Sequence, residues 1–117
     1  MKDKSVYIAT ALECIDLIKD YTSGYTMESF LVDRKTQDAV VRNLEVIGQA
    51  LKDFGIELLT EKVPQTPWSQ VAGMRNILAH EYLGVDMVMI WDTVQLHLND
   101  LRHALKTIQT EADRQPN

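Results

Sequence analysis

One eight-residue segment, RNILAHEY, carries the side-chain types that phosphodiester chemistry needs. Arg75 stays charged at neutral pH and can hold a phosphate, or its pentacoordinate transition state, through a planar fork of donors. His80 can accept or donate a proton, because the unperturbed pKa of histidine is about 6.5. Asn76 can donate hydrogen bonds or orient the histidine. RNA brings its own nucleophile in the 2′-hydroxyl, so these residues predict cleavage of RNA without a metal, and no Asp, Glu and His spacing typical of a metal site is present.

The spacing of Arg75 and His80 limits what one copy of the chain can assemble. On a straight helix the two residues point about 140° apart, so they flank a groove without touching each other. Tyr82 falls within about 20° of Arg75. The small residues Ala72 and Ala79 leave space for a ligand to dock. A two-fold homodimer would place two arginines and two histidines around one cleft, and we therefore expect a homodimer.

Helical periodicity recurs along the chain, and no segment alternates convincingly with a period of two. We predict an all-α fold, an up-and-down four-helix bundle with one extra short helix. Asp86 should cap the last and longest helix. The predicted helices cover residues 4–21, 34–54, 67–82 and 87–111, the short one covers 26–31, and 56–66 is a loop with one helical turn at 57–61.

Two details of these helices bear on the site. Gly48, inside the third helix, costs about 1 kcal/mol relative to alanine. Close approach of another helix is a reason to keep it. On the fourth helix, the residues predicted to face the core are Val71, Met74, Ile77 and Leu78.

Composition favours a globular protein of one domain, residues 1–117. The chain is 45% hydrophobic and 25% charged, and charges interrupt its apolar stretches before the ~20 residues of a membrane span. Its N-terminus is typical of an amphipathic helix and not of a signal peptide.

The net charge of −5 argues against a broad basic face for nucleic acid but permits a local arginine cluster. Cys14 is the only cysteine, which excludes an internal disulfide and fits a cytoplasmic location.

The segment and its flanks resemble the HEPN superfamily and, within it, the HepT branch, the toxin half of HepT/MntA pairs. The HEPN motif is R-x4-6-H with a polar residue after the arginine, here Arg75, Asn76 and His80. The HepT motif extends to R-x4-H-x-Y, which Tyr82 completes. The similarity includes RNLEVIGQALKDF, PWSQVAGMRNILAHEYLGVD and MVMIWDTV. One departure is Gln49, where relatives often carry glutamate.

The resemblance implies a dimeric four-helix ribonuclease that acts without metal, with Arg75 and His80 in a cleft between subunits. It implies the toxin of a type VII toxin–antitoxin system. The antitoxin would be a MntA-type nucleotidyltransferase that transfers AMP from ATP to Tyr82. Because Tyr82 shares a helix face with Arg75, the added phosphates would occupy the cation's site and repel RNA. No cofactor is expected of this chain, since ATP and Mg²⁺ would belong to the partner.

A polar stripe on the third helix has two interpretations. Asp38, Arg42, Glu45, Gln49 and Lys52 form a solvated face with pairs four residues apart, or Arg42 or Glu45 lines the cleft and supports the histidine. We interpret the remaining residues of interest as structural. His97 and His103 should lie at the surface or at the edge of the apolar face of the last helix, and Cys14 at the edge of the core. Trp68 and Trp91 should be packing residues, although Trp68 could instead stack on a base.

Two other functions remain open at this point, because an arginine and a histidine five residues apart occur by chance in many helices. The first is a non-catalytic module that binds a nucleotidyltransferase partner or nucleic acid through the same groove. The second is a structural helical dimer whose polar residues form its interface, with His80 bonded to a backbone carbonyl.

Overall fold

The computed structural model describes residues 3–80 and 84–114, and that part of the chain is all-helical, as the sequence predicts. No helix within it is long and apolar enough to cross a membrane. The helices are α1 (Ser5–Thr22), α2 (Met27–Leu31), α3 (Arg34–Phe54), α4 (Ile56–Lys62), α5 (Trp68–His80), α6 (Met87–Leu96) and α7 (Leu98–Asp113).

The central helix, α3, has the predicted bounds because both of its ends are capped. At its start, the Asp33 side chain accepts a hydrogen bond from the backbone N–H of Thr36 at 3.1 Å. Such a cap satisfies one of the free N–H groups of the first turn. At its end, Gly55 has a φ of 117°, which favours glycine, and its N–H donates to the carbonyl oxygen of Leu51. The capped short helix α2, with Thr26 as its N-cap, is likewise confirmed.

The core lies between α3 and its neighbours. The Nζ of Lys4 donates to the carbonyl oxygen of Phe54 at 3.0 Å, so the start of α1 lies beside the end of α3 and the two helices are antiparallel. α3 also packs against α5, and α7 packs against α1. The predicted stripes of both helices are buried: Ile8, Ala11, Leu12, Ile15 and Ile18 on α1, and Val40, Leu44, Ile47, Leu51 and Phe54 on α3.

The two tryptophans are packing residues, as predicted. Trp68 is 1% exposed, and its indole N–H donates to the carbonyl oxygen of Val63 at 2.8 Å. That bond ties the first residue of α5 to the end of α4. Trp91 is buried against Phe30, with ring centroids 5.3 Å apart.

The prediction of one long last helix is wrong. α6 ends at Leu96 and α7 begins at Leu98, because the φ of His97, −119°, deviates from the usual helical value of about −63°. Val94 and Leu98 are both buried across this break. The apolar spacing therefore keeps the same phase on both sides, which is why periodicity does not reveal it. The loop predicted at 56–66 is also shorter, since α4 extends the predicted turn to seven residues.

The prediction that Ile77 faces the core is wrong as well, since 48% of this residue is exposed. Leu78 is buried, and Val71 and Met74 are half-buried, as predicted. The buried side of α5 therefore differs from the predicted one, and Arg75 lies near the middle of the buried side. Gly48, opposite Arg75 on α3, leaves room for this packing.

Candidate functional site

The contact between α3 and α5 centres on a glycine and an arginine. A Cβ built on Gly48 would lie 2.7 Å from the Cβ of Arg75 and 3.2 Å from the carbonyl oxygen of Ala72. Carbon atoms in ordinary contact are about 3.5–4.0 Å apart, so only glycine fits. The close approach inferred for Gly48 from sequence is therefore confirmed. It places the base of the Arg75 side chain directly on α3.

The guanidinium of Arg75 turns outward from this contact. Its Nη1 donates to the Oδ1 of Asn76 at 3.0 Å. Arg75 is half-buried and Asn76 is exposed. The side chain thus begins between two helices and ends at the surface, where the neighbouring amide orients it.

Arg75 lines a cavity of about 400 Å³ together with residues of two other helices, which we call the Arg75 groove. α1 and α3 form its two walls, and Arg75 is its residue from α5. The lining residues are Val6, Tyr7, Thr10, Arg42, Glu45, Val46, Gln49, Ala50, Asp53 and Arg75.

The polar stripe of α3 divides between this groove and the solvent. Arg42 and Glu45 both line the groove, and their side chains are 3.5 Å apart with 73% and 22% exposure. Further along, the amide of Gln49 donates to Asp53 at 2.9 Å. Asp38 instead pairs with Arg34 at 3.5 Å on an exposed face. Arg42 and Glu45 thus line the same groove as Arg75, and their roles in supporting the histidine remain predictions.

Next to Asn76, the outer face of α5 carries one small and one apolar residue. Gly73 is exposed, and a Cβ built on it would meet nothing within 4 Å. Ile77, four residues on, is also exposed. His80 is the last residue of the helix, and its position seven residues after Gly73 puts its Cα on the same face. The fourth residue singled out in this segment, Tyr82, lies outside the described residues.

Sequence reasoning missed the α1 side of the groove. Tyr7 and Thr10 lie on the same helix as the predicted core stripe, and nothing in their local spacing relates them to a segment more than sixty residues away. Asp53 carried a weak signal, because it lies four residues after Gln49, the spacing of a helical side-chain pair.

A larger cavity of about 650 Å³ lies on the opposite side of α5, facing α7. Its floor includes Leu44 and Ile47 of α3. His97 and His103 are both exposed and stand at its edge, which confirms the surface location predicted for them. Arg75 and Asn76 do not belong to its lining, so this cavity is separate from the Arg75 groove.

The single cysteine is not a nucleophile of the site. Cys14 is 7% exposed, at the edge of the core, as predicted. Burial raises the pKa of its thiol, so the reactive thiolate is disfavoured.

Comparison with known proteins gives one family. The model of the HepT-like family, described as "Ribonuclease HepT-like", matches residues 11–108. The chain is 37% identical over 116 residues to "Gamma-glutamylcyclotransferase and putative RNase" of Methanocaldococcus jannaschii, covering 99% of this chain and 52% of that relative. It is 40% identical over 96 residues to "Probable ribonuclease HepT" of Thermococcus cleftensis, covering 82% of this chain and 86% of the relative. The chain thus spans about half the length of the first of these proteins. No solved structure matched it significantly.

Proposed function

Since this chain belongs to the HepT-like ribonuclease family of the HEPN superfamily, we propose that it is the toxin of a type VII toxin–antitoxin system. Its activity is metal-independent cleavage of RNA at the Arg75 and His80 site. One observation carries this proposal above the family match. The side chain of Arg75 begins against Gly48, its guanidinium is oriented by Asn76, and it shares a groove with Arg42.

Arg75 supplies the electrostatic part of the reaction. Its side chain is held at both ends, by the contact of its Cβ with α3 and by the hydrogen bond of Nη1 to Asn76. A preorganised cation stabilises the charge that develops on the phosphoryl oxygens, at little cost of reorganisation. The planar fork of donors matches two oxygens at once.

His80 supplies the proton transfers. It removes the proton of the 2′-hydroxyl, whose oxygen attacks the adjacent phosphorus and forms a 2′,3′-cyclic phosphate. The bond from phosphorus to the 5′-oxygen breaks, and the leaving oxygen takes a proton from the second copy's His80. Both imidazoles can exchange a proton near neutral pH.

We propose that two copies meet through the outer face of α5, which completes the site. Among the described residues, nothing beside exposed Gly73 excludes a Cβ, yet a helical glycine costs about 1 kcal/mol relative to alanine. Approach of a second helix explains its presence, and exposed Ile77 supplies apolar contact area. In each copy α1, α3, α5 and the α6–α7 pair are the corners of a four-helix bundle.

The proposed partner is a MntA-type nucleotidyltransferase, and the proposed modification is AMPylation of Tyr82. The motif R-x4-H-x-Y and the family support both. Tyr82 is seven residues after Arg75 in the sequence, the spacing at which two residues of a continuous helix would share a face. An added phosphate would bind the cation electrostatically and exclude RNA from it.

Cleavage by purified protein tests the proposal. Arg75→Ala keeps the Cβ that packs on α3, so the fold should persist while cleavage of a single-stranded RNA pool falls to background. His80→Ala should do the same. The matched control is Arg34→Ala, an exposed arginine on α3 outside the groove, which should cleave at the wild-type rate. Wild-type rates in the His80→Ala protein would remove the mechanism.

The alternative function is a non-catalytic module that binds a nucleotidyltransferase or nucleic acid through the same groove. The exposure of Arg42 supports it, because an accessible cation binds phosphate without any chemistry. It predicts a stable complex with the partner and no cleavage of any RNA tested. A small nucleotidyltransferase in the adjacent reading frame is expected under both hypotheses, so cleavage discriminates between them.

A further inference from the structure

We propose that the Arg75 groove is a subsite for one unpaired nucleotide of the RNA, with its base against Tyr7 and its phosphate held by Arg42 together with Arg75. This subsite rests on the proposed nuclease function and extends it to the class of RNA bound. Arg42 and Arg75 are 33 residues apart in sequence, and the two groups converge only through the packing of α5 on α3.

The size of the groove selects one nucleotide. Its volume of about 400 Å³ lies near the lower end of the range of about 300–1,000 Å³ found for small-ligand pockets. Helices α1 and α3 form its walls, so a paired base held in a duplex cannot enter. Proteins read RNA mostly through unpaired bases that are splayed out and stacked on aromatic side chains.

The charged residues that line the groove determine at which end the phosphate of the nucleotide lies. Arg42 and Asp53 stand eleven residues apart on α3, about 16 Å along its axis. The carboxylate of Asp53 repels phosphate from its end of the groove, so the phosphate lies towards the Arg42 end, where Glu45 already pairs with Arg42. α1 runs antiparallel to α3, so Tyr7 lies nearer to the Asp53 end than Thr10 does.

Arg42 is available to a phosphate. It is 73% exposed, and among the described residues it forms one ion pair, with Glu45 at 3.5 Å, a long and exposed contact of the kind that contributes little to stability. A phosphate offers shorter, charge-assisted hydrogen bonds. The guanidinium can therefore exchange its partner when RNA arrives.

Tyr7 offers the base an aromatic surface. It is half-buried, packs against the core, and lines the groove beside exposed Val6. Its packing holds the ring in place, so little freedom is lost when a base stacks on it. Stacking on an aromatic side chain tolerates any base, since every base has a π-face.

Binding to His80→Ala protein, which the mechanism makes unable to cleave, tests the subsite separately from catalysis. The probes are fluorescein-labelled homopolymeric single-stranded RNAs and a blunt RNA duplex of the same length, followed by anisotropy. In this background, Tyr7→Leu should weaken single-strand binding roughly 5- to 100-fold, whereas Tyr7→Phe should bind within about twofold of the parent. Leucine fills the core position without offering a ring. Circular dichroism reports whether each variant folds.

The arginine is tested with a matched pair. Arg42→Gln should lower the slope of log Kd against log salt by about 0.7, the value for one phosphate contact of a single strand. Arg34→Gln changes an arginine of equal exposure on the same helix and should leave the slope unchanged. Duplex binding should be insensitive to Tyr7→Leu.

The possible results separate the two proposals. Equal binding by Tyr7→Leu and Tyr7→Phe, equal slopes for the two arginine variants, or no binding of single strands overturns the subsite. If the wild type cleaves RNA in any of these cases, the nuclease proposal stands without it. If binding follows the expected pattern and the wild type cleaves nothing, the subsite stands and the nuclease proposal falls.

Discussion

Gly48 and Arg75 meet so closely that the absence of a side chain on one sets the position of the other: a Cβ on the glycine would lie 2.7 Å from the Cβ of the arginine. The contact joins α3, which carries Arg42 and Glu45, to α5, which carries Asn76 and ends at His80. A residue without a side chain thereby determines where the proposed phosphate-binding arginine stands.

Gly48→Ala should destabilise the protein and reduce cleavage. Helix propensity favours alanine by about 1 kcal/mol. The new methyl group would, however, meet a Cβ and a backbone carbonyl oxygen, neither of which can rotate away. Overpacking of this kind costs about 1–3 kcal/mol, so the net effect is a loss of roughly 1 kcal/mol, measured by urea unfolding. Gly84→Ala, where nothing lies within 4 Å, is the control. Unchanged stability and activity in the Gly48 variant would contradict this account.

Arg75→Lys should keep the fold and the charge but lower kcat. Lysine retains the Cβ that rests on α3 and loses the planar fork that binds two oxygens. We expect a decrease of roughly 10- to 100-fold in cleavage, with an unchanged melting temperature. Arg34→Lys should cleave like the wild type. If Arg75→Lys also retained full activity, the role of Arg75 would be that of a simple point charge.

Gly73→Leu should weaken dimerisation without harming the isolated chain. Among the described residues nothing lies within 4 Å of a Cβ at this position, so we expect one copy to accommodate the larger side chain. If a second α5 approaches there, leucine holds it away, and sedimentation should show a shift from dimer to monomer together with lost cleavage. Gln95→Leu, on exposed α6 surface, controls for added apolar area. A Gly73→Leu protein that remains dimeric would place the interface elsewhere.

The N-cap of α3 should make stability depend on pH in the acid range. A hydrogen bond from the hydroxyl of Tyr25, 2.5 Å from Oδ2, and another from the backbone of Thr36 hold the pKa of Asp33 below its usual value. A carboxyl with a lower pKa in the folded state adds stability above its unfolded pKa of about 3.9 and loses it as pH falls through the folded pKa. Tyr25→Phe should therefore lower the melting temperature by a few degrees near neutral pH, and the difference from the wild type should shrink below about pH 4. Tyr21→Phe, on the exposed end of α1, should match the wild type throughout.

Tyr82→Phe should make the toxin resistant to its proposed antitoxin. Co-expression of wild-type protein with a MntA-type nucleotidyltransferase should add the mass of one or more AMP groups and abolish cleavage, because the phosphates compete with RNA. The phenylalanine variant has no hydroxyl to accept AMP. Intact mass spectrometry should show no addition, and cleavage should continue in the presence of the partner. Addition of AMP to the variant would move the modification to another residue.

Much of the fold was predictable because it depends on local chemistry. The bounds of α3 follow from Asp33 and Gly55, whose capping needs only neighbouring residues. The buried stripes of α1 and α3 follow from apolar spacing. The break at His97 was not predictable, since the spacing keeps its phase across it.

The sequence by itself determined the all-helical fold with the bounds of α3, the close approach at Gly48, and the chemical types of the candidate site, because periodicity, caps and motif residues are local properties. Only the tertiary structure decided which side of α5 is buried, with Ile77 exposed and the Cβ of Arg75 against α3, and the assembly of Arg75, Arg42 and Tyr7 around one groove. The physical reason is that a helix of weak amphipathicity buries whichever side its neighbours fit. Here α5 packs with Arg75 against Gly48, because only a glycine on α3 leaves room for that contact.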